Sequence, residues 1–376
     1  MTERKELIER RRVLRVYEGF GKTPNDSFDA VFTDYRHERK ILDLFGFNGF
    51  AIVEGGQLDL DNPFEFCISN DAGTSAYQRD KEISNRVGIS MPQTYTPEQA
   101  LSVQQSIVVK YPNAQRGEDK YLLRSREQKI KFIAWALLGK KLGRLDECED
   151  NFVVVQRILQ NVSGGVLEDP FIQGRGWLDD YVFEEFVEPP GKYYTSIRVV
   201  VDALGNIHYS QVARSGNKKN TKAVAFPQLN DSPLIEASIP GTNLSMLLLH
   251  PESPFYIAPM EFTSNIARGG KPLVLNGNSI VNLTDRKILN GLGINPDRPE
   301  LPKELIDVSV AIGKEYRRYY PYVGIDYIQR GDGRFFLLEV NKRPRLRPEA
   351  LGLSADIESD RCETILMQRV IDEISK

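Results

Sequence analysis

The chain has 376 residues, 41% of them hydrophobic and 27% charged, and a formal net charge of −3. That content supports a sizeable core spread, at usual domain sizes, over two or three domains, and the charge balance excludes a global pull toward nucleic acid or an anionic membrane. Three scattered cysteines (Cys67, Cys148, Cys362) show neither metal spacing nor a disulfide framework, and three scattered histidines (His37, His208, His250) argue against a zinc site or a His-based triad.

Met1 to Arg12 is charged and helical in pattern and lacks the apolar centre of a signal peptide. No apolar run approaches the ~18–20 residues that cross a bilayer, so a soluble, cytoplasmic protein without nucleic-acid or membrane partners is expected. Arg36 to Phe45 reads as a helix stopped at Gly46, followed by a strand over Gly49 to Val53 and a Gly-Gly turn, which makes residues 1–90 a small α/β unit. Gln78 to Val87 is a charged helix stopped at Gly88. Thr96 caps a further helix with Pro97 at its first position. Ser106 to Lys110 is a β-branched strand, and Ser125 opens a long amphipathic helix to about Lys141, with Phe132, Trp135, Ala136 and Leu138 as core. Phe152 to Gln156 and Tyr181 to Val187 read as strands. A hairpin follows: Ser196 to Val201, the turn Leu204-Gly205-Asn206, then Ile207 to Arg214. Residues 216–262 are rich in Pro, Asn, Ser and Gly, a long irregular segment of the kind that is functional or disordered. Leu301 to Tyr319 is a helix, and residues 357–375 form a closing one.

The densest chemistry lies late in the chain. Gly324-Ile325-Asp326-Tyr327-Ile328-Gln329 and Phe335-Phe336-Leu337-Leu338-Glu339-Val340-Asn341-Lys342-Arg343-Pro344 read as two strands joined by Arg330-Gly331-Asp332-Gly333-Arg334. Glu339 and Asn341 are two apart and share a face, and the turn can bring Asp326 across from them. Mg²⁺ takes carboxylate and amide oxygens together with substrate phosphates, so this trio, with Arg343 next on the face, is a candidate metal site; a surface hairpin with ordinary polar residues is the alternative.

Lys110 ends a buried strand just before the polar loop Tyr111 to Asp119, which contains Gly117. A lysine there suits phosphate binding, although strand-end lysines also simply extend to solvent. Phe183-Glu184-Glu185-Phe186-Val187-Glu188, then Pro189-Pro190-Gly191, is a strand with a forced exit; it can offer backbone groups to an adenine ring or be an edge strand of no special role. Lys81, after Asp80, lies on a helix face that solvation alone would explain.

Taken in order, Asp80-Lys81 before Gly88-Ile89-Ser90-Met91-Pro92, Val108-Val109-Lys110, Glu184-Glu185-Phe186-Val187, and Asp326 with Glu339-Val340-Asn341-Lys342-Arg343-Pro344 resemble the ATP-grasp superfamily over roughly residues 78–350. The resemblance is to its carboxylate–amine ligases. Ser196-Ile197-Arg198, Val212-Ala213-Arg214 and Phe262 to Gly270, which contains Asn265, resemble the glutathione synthetase and ribosomal-protein glutamate ligase branch.

The resemblance implies an α/β (α+β) fold in which two α+β subdomains clamp ATP: a pre-ATP-grasp domain over 1–90, a small subdomain over 91–182 and a C-terminal subdomain over 183–376, the last with the 216–262 insertion. It implies ATP with Mg²⁺ or Mn²⁺ as cofactors. Lys81 and Lys110 would contact phosphates with Gly117 in the covering loop. The backbones of Glu185 and Val187 would read adenine, with Glu184, Phe186 and Leu338 beside the nucleotide and the ribose held by Glu188 or Tyr194. Asp326, Glu339 and Asn341 would bind the metal; Arg198, Arg214, Arg343 and Asn265 would hold the carboxylate and an acyl phosphate. Substrates would be a small-molecule or peptide carboxylate and an amine, and dimerising relatives make a homodimer an expectation. Two features depart from the pattern: the phosphate loop has Asp119 where a second glycine is common, and the span between Arg214 and Asn265 is longer than in the ribosomal-protein ligases. An ATP-binding regulator and a phosphotransferase are the rival functions.

Overall fold

The computed structural model describes residues 12–16, 29–56, 59, 62, 64–68, 74–111, 120–139, 151–167, 178–190, 194–215, 271–275, 278–279, 283–342, 344, 346, 348–351, 353–354 and 357–374. The expectations for Met1–Arg11, Gly117, Asp119, Cys148, 216–262, Asn265 and Arg343 lie outside them. The fold class is α/β. In chain order the elements are β1 (Val13–Val16), α1 (Asp29–Phe47), β2 (Ala51–Glu54), β3 (Glu65–Ile68), α2 (Thr74–Val87), β4 (Thr94–Tyr95), α3 (Pro97–Ser102), β5 (Ile107–Lys110), β6 (Lys120–Leu123), α4 (Arg126–Gly139), α5 (Asn151–Ser163), β7 (Val182–Glu185), β8 (Thr195–Asp202) and β9 (Ile207–Arg214). There follow β10 (Lys271–Leu275), β11 (Asn278–Ser279), α6 (Leu283–Gly291), α7 (Lys303–Tyr316), β12 (Tyr322–Gln329), β13 (Phe335–Asn341) and α8 (Ser359–Ile374). No helix of the described residues is long and apolar enough to cross a membrane.

Two compact units divide the chain: Met1–Met91 with Thr195–Ala213 and Pro272–Lys376, and Pro92–Tyr194 with Arg214–Lys271. In the first, β1 pairs in parallel with β2 and β3 in the order β2-β1-β3. Parallel neighbours need a crossover, and α1 supplies it between β1 and β2. The second sheet of this unit runs β11-β10-β9-β8-β12-β13, with α7 packed on β8 and β12. Central β12 is buried along its whole length, and Ile197, Val199, Val201, Ile325 and Leu337 join Ile312, Leu366 and Val370 in one core. Helix α8 packs on α1, where His37 Nε2 lies 2.6 Å from Glu363 Oε2 and the Tyr320 and Tyr322 hydroxyls donate to Glu363 Oε1 at 2.9 Å.

The β8–β9 turn is held by one buried carboxylate. Asp202 Oδ1 accepts the N–H groups of Leu204 and Asn206 at 2.8 and 2.9 Å, while Oδ2 meets Asn206 Nδ2 at 3.1 Å and His208 Nε2 at 2.8 Å. Gly205 completes the turn at φ +95°, a region that a Cβ disfavours. Helix α7 then approaches so closely that a Cβ on Gly313 would lie 2.6 Å from Asp202 O.

The second unit has an antiparallel sheet in the order β4-β7-β5-β6. Aromatic rings fill its core: Phe132 lies edge-on to Tyr181 and Phe183, at 5.2 and 6.1 Å between centroids, and Trp135 packs alongside at 5.5 Å. Thr96 and Gln99 form the reciprocal cap that opens α3. Lys129 is buried, its Nζ donating to Val103 O at 2.6 Å and Gln105 O at 2.8 Å. Burial pulls its pKa down.

Phe152 to Gln156, expected as a strand, instead lies within helix α5. Three consecutive valines favour extended chain, but Ile158 and Val162 carry the apolar spacing onward at helical period and pack in the core beside α4. Tertiary burial of that longer face overrides the local β preference. Strand β7, read as a candidate edge, is paired on both sides.

Replacing Asp202 by Ala should cost about 1–3 kcal/mol, since several partly buried donors lose their acceptor together. Urea denaturation of the variant and parent would measure it. Gly313→Ala should also destabilise, even though helix propensity alone favours Ala by about 1 kcal/mol, because the backbone of Asp202 leaves the methyl no room.

Candidate active site

A row of charge crosses three neighbouring strands of the six-stranded sheet. Asp326 on β12 is register partner both to Arg198 on β8 and to Glu339 on β13. Two residues on, Gly324 pairs with Asn341. Arg198 grips Asp326 with both arms of its fork, Nε to Oδ1 at 2.7 Å and a terminal nitrogen to Oδ2 at 2.5 Å. Asn341 Nδ2 donates to Asp326 Oδ2 at 3.2 Å and to Glu339 Oε1 at 3.3 Å. Asp326, Glu339 and Asn341, named separately in the sequence, lie beside one another on neighbouring strands.

A β-bulge aims these groups. Asp326 faces Glu339, but Tyr327 faces Leu337, so Leu338 is the extra residue. Leu337 and Val340, three apart, can therefore both turn into the core, leaving Glu339 and Asn341 on the opposite face. A bulge re-aims a strand in this way. Gly324 permits the closing of the strand end: a Cβ there would lie 2.5 Å from Pro344 Cβ.

The electrostatics follow from burial. Asp326 is pushed above the usual carboxylate range chiefly by desolvation and further by Glu339, and Arg198 pulls the other way. In turn the carboxylate holds Arg198 above its ordinary value. Two adjoining carboxyls, one buried, with an amide spanning them form a hard-oxygen donor set that suits Mg²⁺, since a cation would relieve their mutual repulsion. Asn341 would present its oxygen after a half-turn of the amide. Among the described residues no group of three or more His, Cys, Asp or Glu could hold a metal; the set here is two carboxylates and an amide.

Beneath β13, Asp80 is buried on α2. It accepts the Val340 N–H at 3.1 Å and a hydrogen bond from the Tyr316 hydroxyl. Burial pushes its pKa up to about 6, against the pull of Tyr316, Val340 and Arg79. Arg79 lies over the rings of Tyr316 and Tyr319 at 5.3 and 4.6 Å. Its neighbour Lys81 is exposed.

In the second unit, Lys110 Nζ meets Glu184 Oε2 at 2.8 Å. Glu184 is 3% exposed, and its Oε1 is buried without a hydrogen-bond partner among the described residues. Glu185 N–H donates to Gln93 O at 2.7 Å and Phe186 N–H to Ser106 O at 3.2 Å. The Tyr194 hydroxyl donates to Val187 O at 3.1 Å, and its ring lies 5.5 Å from that of Phe186. Glu188 is exposed. Buried Arg214 donates to Ser215 O at 3.0 Å.

The pairing of Lys110 with Glu184 depends on the adjacency of β5 and β7, which no local sequence pattern signals. Nor does the sequence signal the Asp80–Tyr316 contact, since a lone acid on an ordinary helix turn carries no mark of burial. Arg198, expected to face a carboxylate substrate, grips the carboxylate of Asp326.

No family model matches the chain, and no curated protein matches it. Solved structures do align with it. A Chryseobacterium gregarium RiPP-associated ATP-grasp ligase, in complex with ADP and a leader and core peptide, is 13% identical over 96% of this chain and 76% of that one, with a TM-score of 0.34. D-alanyl-alanine synthetase A of Vibrio cholerae O1 biovar eltor is 10% identical over 96% and 99%, at 0.35. The macrocyclase MdnC of Microcystis aeruginosa MRC, bound with precursor peptide MdnA, is 14% identical over 97% and 80%, at 0.36.

Arg198→Leu should lower stability by about 3–5 kcal/mol, because it strands a buried carboxylate. The double variant Arg198→Leu with Asp326→Leu should lose much less. Chemical denaturation of both variants and of Asp326→Leu alone would check this, and a double-variant loss equal to the sum of the two single losses would mean that the pair is not coupled.

Proposed function

We propose that the chain is an ATP-grasp carboxylate–amine ligase, joining a small-molecule or peptide carboxylate to an amine with release of ADP and phosphate. The observation that carries the reading is the donor set Asp326, Glu339 and Asn341, gathered by strand register on one face and backed by Arg198. The motif order in the sequence supports it, as do two features of the second unit. Lys110, on rigid β5, offers a cation for phosphate, and the unpartnered Glu184 Oε1 is an acceptor suited to an adenine amino group.

The chemistry needs charge neutralisation and alignment more than a protein nucleophile. A carboxylate oxygen of the substrate attacks the γ-phosphorus; the bond to the β-phosphate oxygen breaks, and ADP leaves with that electron pair. The amine nitrogen then attacks the acyl carbon, phosphate departs with the C–O electrons, and the nitrogen gives up its proton. Asp326, Glu339 and Asn341 would hold Mg²⁺, which supplies charge neutralisation at the phosphates. Lys110 would hold phosphate oxygens, and Arg198 would favour the ionised form of Asp326 against the effect of its burial.

The test is ATP consumption by purified protein with Mg²⁺ across pools of amino acids, peptides and small carboxylates, with the products weighed by mass spectrometry. ADP together with a new amide mass is the expected result. ADP without an amide would favour a phosphotransferase, binding without turnover a regulatory nucleotide binder, and no ATP binding would end the reading. Glu339→Ala and Asn341→Ala should each lower turnover by at least about 100-fold, as loss of a charge-stabilising group does, while circular dichroism and melting temperature stay close to the parent.

A further inference from the structure

Strand β13 is the outermost strand of its sheet, so half of its backbone groups face away from β12 and need other partners. Two are anchored. Val340 N–H donates to Asp80 Oδ2 at 3.1 Å, and Leu337 N–H donates to Ser90 O at 2.9 Å. Leu338, the bulged residue, lies between the two anchor points. A bulge relaxes the ladder locally and would let the end of the strand slide or rotate. The two anchors remove that freedom.

We infer that Asp80 is a positioning residue for the metal-ligand strand, fixing the Val340 amide and with it the directions of Glu339 and Asn341 on either side. The inference rests on the metal-dependent reading above. Asp80 is itself held rigidly. Its second oxygen accepts the Tyr316 hydroxyl from α7, Arg79 Nε lies 3.9 Å from that oxygen, and only 5% of the residue is exposed. Helices α2 and α7 pack on each other, and α2 packs on β13. The ligand strand is thus referenced to two helices through one carboxylate. Groups that orient ligands from behind typically change metal affinity by about 10–100-fold when removed.

The experiment is Mn²⁺ binding to the full chain with a non-hydrolysable ATP analogue, read by electron paramagnetic resonance, beside binding of the analogue alone. Parent protein should bind Mn²⁺ and Asn341→Ala should weaken it. Asp80→Ala should weaken Mn²⁺ by about 10-fold or more and leave metal-free nucleotide binding unchanged. Asp80→Asn retains a carbonyl oxygen for Val340 N–H and should recover most of the loss. Tyr316→Phe, which leaves Asp80 in place but less constrained, should show a smaller drop and serves if Asp80→Ala does not fold. Unchanged Mn²⁺ affinity in folded Asp80→Ala or Tyr316→Phe, with Asn341→Ala still weakened, would overturn the positioning role alone. A parent that binds no Mn²⁺, or an Asn341→Ala variant that binds as the parent does, would overturn the metal site and the inference with it.

Discussion

Everything distinctive about the first unit turns on a carboxylate kept inside a sheet. Asp326 sits on a central strand buried from end to end, and desolvation of an isolated anion there would cost several kcal/mol. Its neighbours decide its state. On one side Arg198 donates through two nitrogens, and the fork geometry makes that pair stronger than a point contact. On the other, Glu339 repels it. Two carboxyls and one guanidinium on adjacent strands thus set one another's charge state.

Much of this could be read from the chain, because the relevant spacing is local. The alternation in Gly324–Gln329 and Phe335–Asn341, broken by a glycine-containing turn, specifies an antiparallel pair with few alternatives, and Glu339 and Asn341 fall on one face by simple period. The same held for the β8–β9 hairpin and for Thr96 at the start of α3. Other parts were illegible for physical reasons. Arg198 reaches Asp326 only because β8 is the strand next to β12, a pairing across 128 positions that no local pattern encodes. Residues Phe152 to Gln156 looked extended because valine's local preference is visible in sequence, whereas the face that buries Ile158 and Val162 against α4 is not. The bulge at Leu338 was equally hidden, since it adds a residue without adding a glycine.

Positions that look unremarkable can be the most constrained. Asp80 and Gly313 both sit in helices whose neighbours are ordinary, yet one meets the backbone of β13 and the other the backbone of Asp202. In both cases helix packing brings a side chain, or the lack of one, against another element's main chain. That is a contact in which small changes in volume or charge are poorly absorbed, because close-packed interiors relax only in part.

The path of the chain through its two units has a consequence for biosynthesis. The first unit is assembled from three separate stretches, Met1–Met91, Thr195–Ala213 and Pro272–Lys376, and its buried His37–Glu363 pair joins positions 326 residues apart. On the ribosome, α1 and the parallel sheet emerge long before α8 exists to cover them. At about 5–20 residues per second, that apolar face waits tens of seconds for its partner. Contacts so remote in sequence carry a large loop-closure cost before they can form, the condition under which folding is slow.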